Sequence, residues 1–460
     1  MRNLMAARAS ATNRLAGRLM SEHVFPRSTR SRLPTAVAGQ GIELIAADGR
    51  RYIDASGGAA VSCLGHGHPA VAAAIAHQAQ SMAYAHTSFF TNDPAEQLAD
   101  ELIAAAPVGL SRVYFVDNGS AAVETALKMA RQYYLETGAP ERRHVISRRQ
   151  SYHGNSLGAL AVSGNAGRRA PYEPFLFETS RIEPCFYYRY ARNGQSEDDY
   201  GRQAADALEA ELLRLGPLNV MAFIAETVVG ATAGAVPPAP GYFRRVREIC
   251  NRYGVLLILD EVMCGAGRTG SFLACQQEGI VPDLVTLAKG LAGGYQPIGA
   301  VLCAEKIYAA FSRGSGAFVN GHTYSAHAIA CAAALAVQKV IRDERLLERV
   351  RRAAEYLREA LTQRLGGNPH VGDIRGRGLL MAIELVADRE SKATYDPALQ
   401  LSARVKAAAF ERGMLVYPGS GTVDGVRGDH VLLAPPYNVT DGEIDVIVER
   451  LSLALDAALA

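Results

Sequence analysis

Along this 460-residue chain, short apolar stretches alternate with longer segments of helical period. Gly41–Asp54 alternates apolar and polar positions around Asp48-Gly49, a hairpin turn signal. Proline suits a first helical turn, so helices are expected to open at Pro69 and at Asp93-Pro94. Arg112–Val116, His144–Ser147 and Asn219–Ala225 read as strands. After the first of them, Ala122, Ala126, Met129 and Ala130 repeat at helical spacing. Gly241–Tyr253 reads as a helix feeding Val255–Leu259, and Leu284–Ala288 follows. These last two runs are short, apolar and sharply bounded, the mark of strands buried on both faces. A long helix is expected within GHTYSAHAIACAAALA, then a charged amphipathic helix at Glu344–Leu365. Strands follow at Leu379–Leu385, Leu415–Tyr417 and His430–Leu433, and Thr440 and Glu443 open a last helix in capping-box spacing. Residues 186–203, polar and aromatic without clear period, are expected as a surface excursion or insertion. Such sequential units predict an α/β fold, its sheet mostly parallel with helices on both faces.

Composition narrows the function classes. The length suggests about two or three domains. The 49% apolar and 20% charged residues are those of a globular protein. A net charge of +2 gives no electrostatic case for nucleic acid or an anionic membrane. The longest apolar run, Ala328–Val337, falls short of the roughly 18 residues of a membrane helix. Seven scattered cysteines (63, 185, 250, 264, 275, 303, 331) argue for a reducing compartment and against zinc or disulfides. His66 and His68 have no further ligand nearby and read as loop structure. Residues 1–32 hold seven Arg and one acid, Glu22, a composition shared with mitochondrial transit peptides. The favoured expectation is an N-terminal arm on a cytoplasmic protein.

The two apolar runs end in chemistry. The first ends in Asp260-Glu261, the second in Lys289-Gly290. In parallel sheets, ligands gather beyond the carboxyl ends of strands. The spacing allows a right-handed crossover between neighbours, so a carboxylate and an amine would share one crevice. Taken singly, either residue is an ordinary solvated strand end. As a pair they suit pyridoxal phosphate (PLP), held covalently by a Lys while an acid faces its pyridine nitrogen.

The strings LDEVMCGAGRTG and TLAKGLAGGYQPIGA resemble the core motifs of class III aminotransferases, the ω-aminotransferase branch of fold-type I PLP enzymes. The resemblance runs from about residue 40 to the end. It implies a large domain with a mostly parallel seven-stranded sheet at 76–330. A smaller α/β domain would be built from both termini, 1–75 with the arm and 331–460. It further implies that Lys289 and Asp260 are catalytic, and that Gly119 and Ser120 hold the phosphate at a helix start. Tyr152 would stack on the ring beside His153, Val262 would pack opposite, and Glu226 would support the site. Thr323 would reach the partner's phosphate across a homodimer interface. Two positions depart from the family: Ala121 replaces a Glu, and Thr227 replaces a Pro.

Many relatives bind substrate carboxylate through an Arg just before the strand ending in Pro-Pro, where this chain has Tyr417-Pro418. Arg427, in the following Gly-rich loop, is the nearest replacement, with Arg375 a second basic candidate of more structural context. The implied reaction moves an amino group from a primary amine or amino acid to a keto acid such as pyruvate or 2-oxoglutarate. A PLP decarboxylase or racemase shares the same cofactor motifs. Gly154-Asn155-Ser156-Leu157-Gly158 fits the G-x-S-x-G of serine hydrolases, but polar Arg148-Arg149-Gln150 intervene before it. Gly265–Gly270 fits G-x-G-x-x-G without its expected context and reads as a Gly-rich turn.

Overall fold

The computed structural model describes residues 23–30 and 32–460. The transit-peptide reading of 1–32 therefore falls largely outside the described residues. Three short antiparallel strands come first: β1 (Ala36–Gln40), β2 (Glu43–Ala46) and β3 (Arg51–Asp54), turning at Asp48-Gly49 as expected. Helices Pro69–Ser81 and Asp93–Ala105 follow, the second capped by Asn92 Oδ1 accepting from the Ala95 amide.

The central sheet is built from β4 (Leu110–Val116), β5 (His144–Arg148), β6 (Ser180–Ile182), β7 (Val220–Glu226), β8 (Leu256–Asp260), β9 (Leu284–Leu287) and β10 (Gly299–Ala304). Its order is β4-β10-β9-β8-β7-β5-β6, and β10 alone runs antiparallel to its neighbours. Strand β8 shows why this sheet is two-faced. Leu257 and Leu259 pack with Phe223 and Val285 on one side. Leu256 and Ile258 pack with Ile224 and Leu284 on the other. Each fully buried aliphatic side chain here contributes about 2 kcal/mol of hydrophobic stabilisation. Helix Tyr242–Tyr253 covers one face through Tyr242, Phe243, Val246, Ile249 and Cys250. It stops at Gly254, which takes the left-handed conformation of a helix C-terminus (φ 62).

The remaining strands are β11 (Val371–Arg377), β12 (Leu380–Leu385), β13 (Met414–Leu415), β14 (Tyr417–Ser420) and β15 (Asp429–Leu433). They form the sheet β11-β12-β15-β14 and extend the N-terminal one to β1-β2-β3-β13. One apolar cluster joins Ile42, Ile53, Leu64 and Val71 to Val350, Leu357, Ile383 and Leu451, so the two ends of the chain share a core. The last helix, Asp441–Leu459, opens on a reciprocal Thr440–Glu443 capping box.

Several elements differ from expectation. The 186–203 segment is not an irregular excursion. Ser196 caps a helix running Glu197–Leu215, and buried Arg189 bonds Glu384 on β12. The single strand expected at Leu415–Tyr417 is two, belonging to different sheets. Strands β6, β10 and β11 carry no expectation from the sequence pattern. Among the described residues no helix is long and apolar enough to cross a membrane.

Candidate active site

Strand register brings the site together. Glu226 pairs with Asp260 and Asp260 with Thr286, so the carboxyl ends of β7, β8 and β9 finish at one level. Lys289 follows three residues on, opening a short 3-10 turn with φ 47, a conformation rarely taken by a non-glycine residue. A cavity of about 700 Å³ opens above these ends, lined by Asp260, Lys289, Glu226, Gly119, Ser120, Tyr152, His153 and Val262.

Alternation along β8 separates the two acids at its end. Asp260 faces the cavity, where Oδ2 pairs with His153 Nδ1 at 2.8 Å. Its Oδ1 accepts from the Val262 amide (3.0 Å) and the Thr286 hydroxyl (3.1 Å). Glu261 turns away and accepts from the Ala274 and Cys275 amides and from Thr227 Oγ1. Thr227, unusual for the family, thus has a structural partner.

Desolvation sets the protonation of the other groups. It pulls the Lys289 amine below the ordinary lysine range, while Asp260 and Glu226 oppose it. It pushes Glu226 up, though Oε1 accepts from the Gly230 amide and Oε2 from the Tyr152 amide. Burial raises the Tyr152 hydroxyl too, keeping the ring a neutral phenol.

Another side of the cavity is the start of helix Gly119–Glu136. Asn118 Oδ1 accepts the Ala121 amide, leaving Gly119 and Ser120 at the first turn, where amides lack helical partners. Ser120 Oγ accepts from the Asn155 amide at 2.9 Å, which frees its proton for an anion. No side chain fits at Gly119, where a Cβ would stand 2.9 Å from Val262 Cγ1. Where Ala121 replaces the family's Glu, Glu124 one turn on accepts the Gly158 and Ala159 amides.

Two expected residues lie elsewhere. Thr323 sits on an exposed turn outside this cavity, its carbonyl accepting from Tyr84 Oη at 2.8 Å. Arg427, expected to bind substrate, is the other. It does not line the cavity, and both its amide and its guanidinium are drawn back onto Asp424, at 2.7 Å each. Arg375 is buried against the Ala233 and Gly234 carbonyls, Asp373 and Glu384, a structural anchor. The cavity's own guanidiniums are Arg27 and Arg168, neither anticipated from sequence.

The two competing motifs dissolve in three dimensions. Residues 149–156 separate β5 from helix Leu157–Val162, so Ser156 is no nucleophile elbow, and its Oγ has no partner among the described residues. The Gly265–Gly270 turn instead ties the sheet to the C-terminal part, Arg268 donating to the Leu379 and Pro435 carbonyls.

The family profile of "Aminotransferase class-III" matches residues 25–455. The chain belongs to the class III aminotransferases. This aminotransferase is 46% identical over 439 residues to an uncharacterised aminotransferase of Schizosaccharomyces pombe, covering 95% of this chain and 96% of the relative. An (S)-enantioselective ω-transaminase from Thermomicrobium roseum superposes with TM-score 0.89 at 33% identity, 99% of both chains covered. An ω-transaminase of Pseudomonas jessenii in complex with PMP gives TM-score 0.88 at 33% identity, with 97% of both covered. The enzyme is therefore a PLP-dependent transaminase of fold type I. Its residues fit that cofactor: a desolvated amine, a carboxylate fixed by three donors, and a helix start without side-chain bulk.

Proposed function

We propose that Lys289 and Asp260 are the catalytic groups of a transaminase that takes a primary amine of ω type as donor and a keto acid, such as pyruvate or 2-oxoglutarate, as acceptor. The observation that carries this reading is the β7–β8–β9 register, which puts both groups in one cavity. Lys289 Nζ would hold the cofactor. Its free amine would take the proton from the substrate carbon and later return one, acting as general acid and base. Its lowered pKa supports that task, because a larger share of the amine is free at neutral pH. PLP supplies the electron sink for the broken bond. Asp260, its orientation fixed by His153, Thr286 and the Val262 amide, would face the pyridine nitrogen and favour its protonated form. Gly119 and Ser120 would hold the phosphate and Tyr152 and Val262 would enclose the ring, while Glu226 accepts from the Tyr152 amide.

The active unit in this reading is a homodimer in which Thr323 completes the partner's phosphate site. Phe89 and Phe90, 80% and 68% exposed, and Tyr324, packed edge-on against Tyr84, give the surface beside Thr323 an apolar character suited to a second copy. The shared core of both termini supports the division into 1–75 with 331–460 and 76–330. The seven buried, unpaired cysteines support a reducing, cytoplasmic setting.

A panel of amine donors with pyruvate and 2-oxoglutarate tests the function. The expected result is amination of a keto acid matched by loss of donor amine. Carbon dioxide release or racemisation that proceeds without any keto acid would replace it with the decarboxylase or racemase reading.

A further inference from the structure

We infer that Arg168 is the residue that reads the anionic group of the substrate, selecting amines that carry a carboxylate. This rests on the transaminase reading and adds its donor class. Arg168 lines the cavity, and its guanidinium carbon stands 4.7 Å from the centroid of the Tyr152 ring. Stacking on that ring orients the planar fork without using its donors. No carboxylate pairs with it among the described residues. Its neighbour Arg169 has the opposite fate: it is buried, donating to the Leu160, Ala161 and Ser163 carbonyls and pairing with Glu173. One arginine of the pair is thus an anchor and the other is free.

The turn that presents Arg168 is held in place. Asn165 Oδ1 accepts the Arg168 amide at 3.1 Å, and Arg169 ties the same turn to the end of helix Leu157–Val162. The Gly425 backbone packs against Ala166, so the 421–428 loop supports the turn rather than supplying its own cation. On β14, Tyr417 lines the cavity with no charge to offer. The acids Asp260 and Glu226 are already bonded to His153, Thr286 and backbone amides, so neither neutralises Arg168. A guanidinium with free donors in a partly enclosed cavity binds a carboxylate bidentately. Arg27 also lines the cavity and is the internal comparison.

The test uses single-turnover donor half-reactions of the PLP-loaded enzyme, followed by cofactor absorbance. β-Alanine, 4-aminobutanoate and 6-aminohexanoate are each set against the n-alkylamine of equal carbon number. The wild type should prefer at least one amino acid over its alkylamine by about 10- to 100-fold, the worth of charged hydrogen bonds. Arg168→Leu should collapse that ratio and Arg168→Lys restore part of it, while Arg27→Leu keeps it. In calorimetry, hexanoate should bind the wild type about tenfold or more tightly than it binds Arg168→Leu. An Arg168→Leu enzyme that keeps its preference, a wild type without any, or collapse in Arg27→Leu instead would overturn the assignment while the transaminase reading stands. Absence of amine transfer from every donor would overturn both.

Discussion

His153 Nδ1 lies 2.8 Å from Asp260 Oδ2, and both side chains are buried. The imidazole is thus one of three donors that fix the orientation of the Asp260 carboxylate. His153→Phe removes the shortest of these contacts while keeping a ring at the position. It is expected to keep bound cofactor and lower kcat by roughly 10- to 100-fold, whereas Asp260→Asn loses about 10²- to 10⁴-fold. Steady-state kinetics on cofactor-saturated enzymes compare them. Near-native rates in Asp260→Asn would count against its role.

Gly154 takes φ +142, and a Cβ there would come within 2.6 Å of Ser120 Oγ and 2.8 Å of the Ala159 side chain. Gly154→Ala must therefore displace the serine assigned to the phosphate. The expected result is a PLP dissociation constant raised about tenfold or more, from 1–3 kcal/mol of strain. Fluorescence titration of apoenzyme measures it. An unchanged constant would separate Ser120 from phosphate binding.

His430 is fully buried between Gly234 and Gly419, and burial with repulsion from Arg375 pushes it down to about 3 from the ordinary 6.5. The unfolded chain therefore binds a proton below pH 6.5 that the folded one refuses until about 3. The stabilisation is full above that upper value and is lost as pH falls through the window, at up to about 1.4 kcal/mol per pH unit. Tm measured from pH 7.5 to 5 should fall less steeply in His430→Asn than in the wild type. Parallel curves would contradict this.

Thr323 lies outside its own cavity, so its effect should be felt by the other subunit. Lys289→Ala and Thr323→Ala, each impaired when cofactor is limiting, should regain activity when co-expressed. A mixed dimer holds one site with both the lysine and the threonine. If Thr323 served its own subunit, or nothing, the mixed preparation would show only the average of the two.

The strands that position the chemistry were legible because β8 and β9 are apolar runs of strand length ending abruptly in Asp260-Glu261 and Lys289. Their shared cavity could be argued from strand topology before any coordinates. Helix Glu197–Leu215 was hidden by the aromatic segment before it, although Ser196 and three acids in its first turn are a start signal. Strand β6, three residues on the sheet edge, is too short to show a period. Arg427 stands near Tyr417 in the sequence, yet Asp424 three residues back offers the local turn that captures it. Nothing in the string Arg168-Arg169 tells which side chain is buried; only the packing of 160–173 decides it.

The most direct measurement is borohydride reduction of the holoenzyme followed by peptide mass spectrometry, which marks the lysine bonded to the cofactor. The account predicts the phosphopyridoxyl mass on the peptide containing Lys289 and its loss in Lys289→Ala. The same mass on Lys128, Lys306 or any other lysine would contradict it.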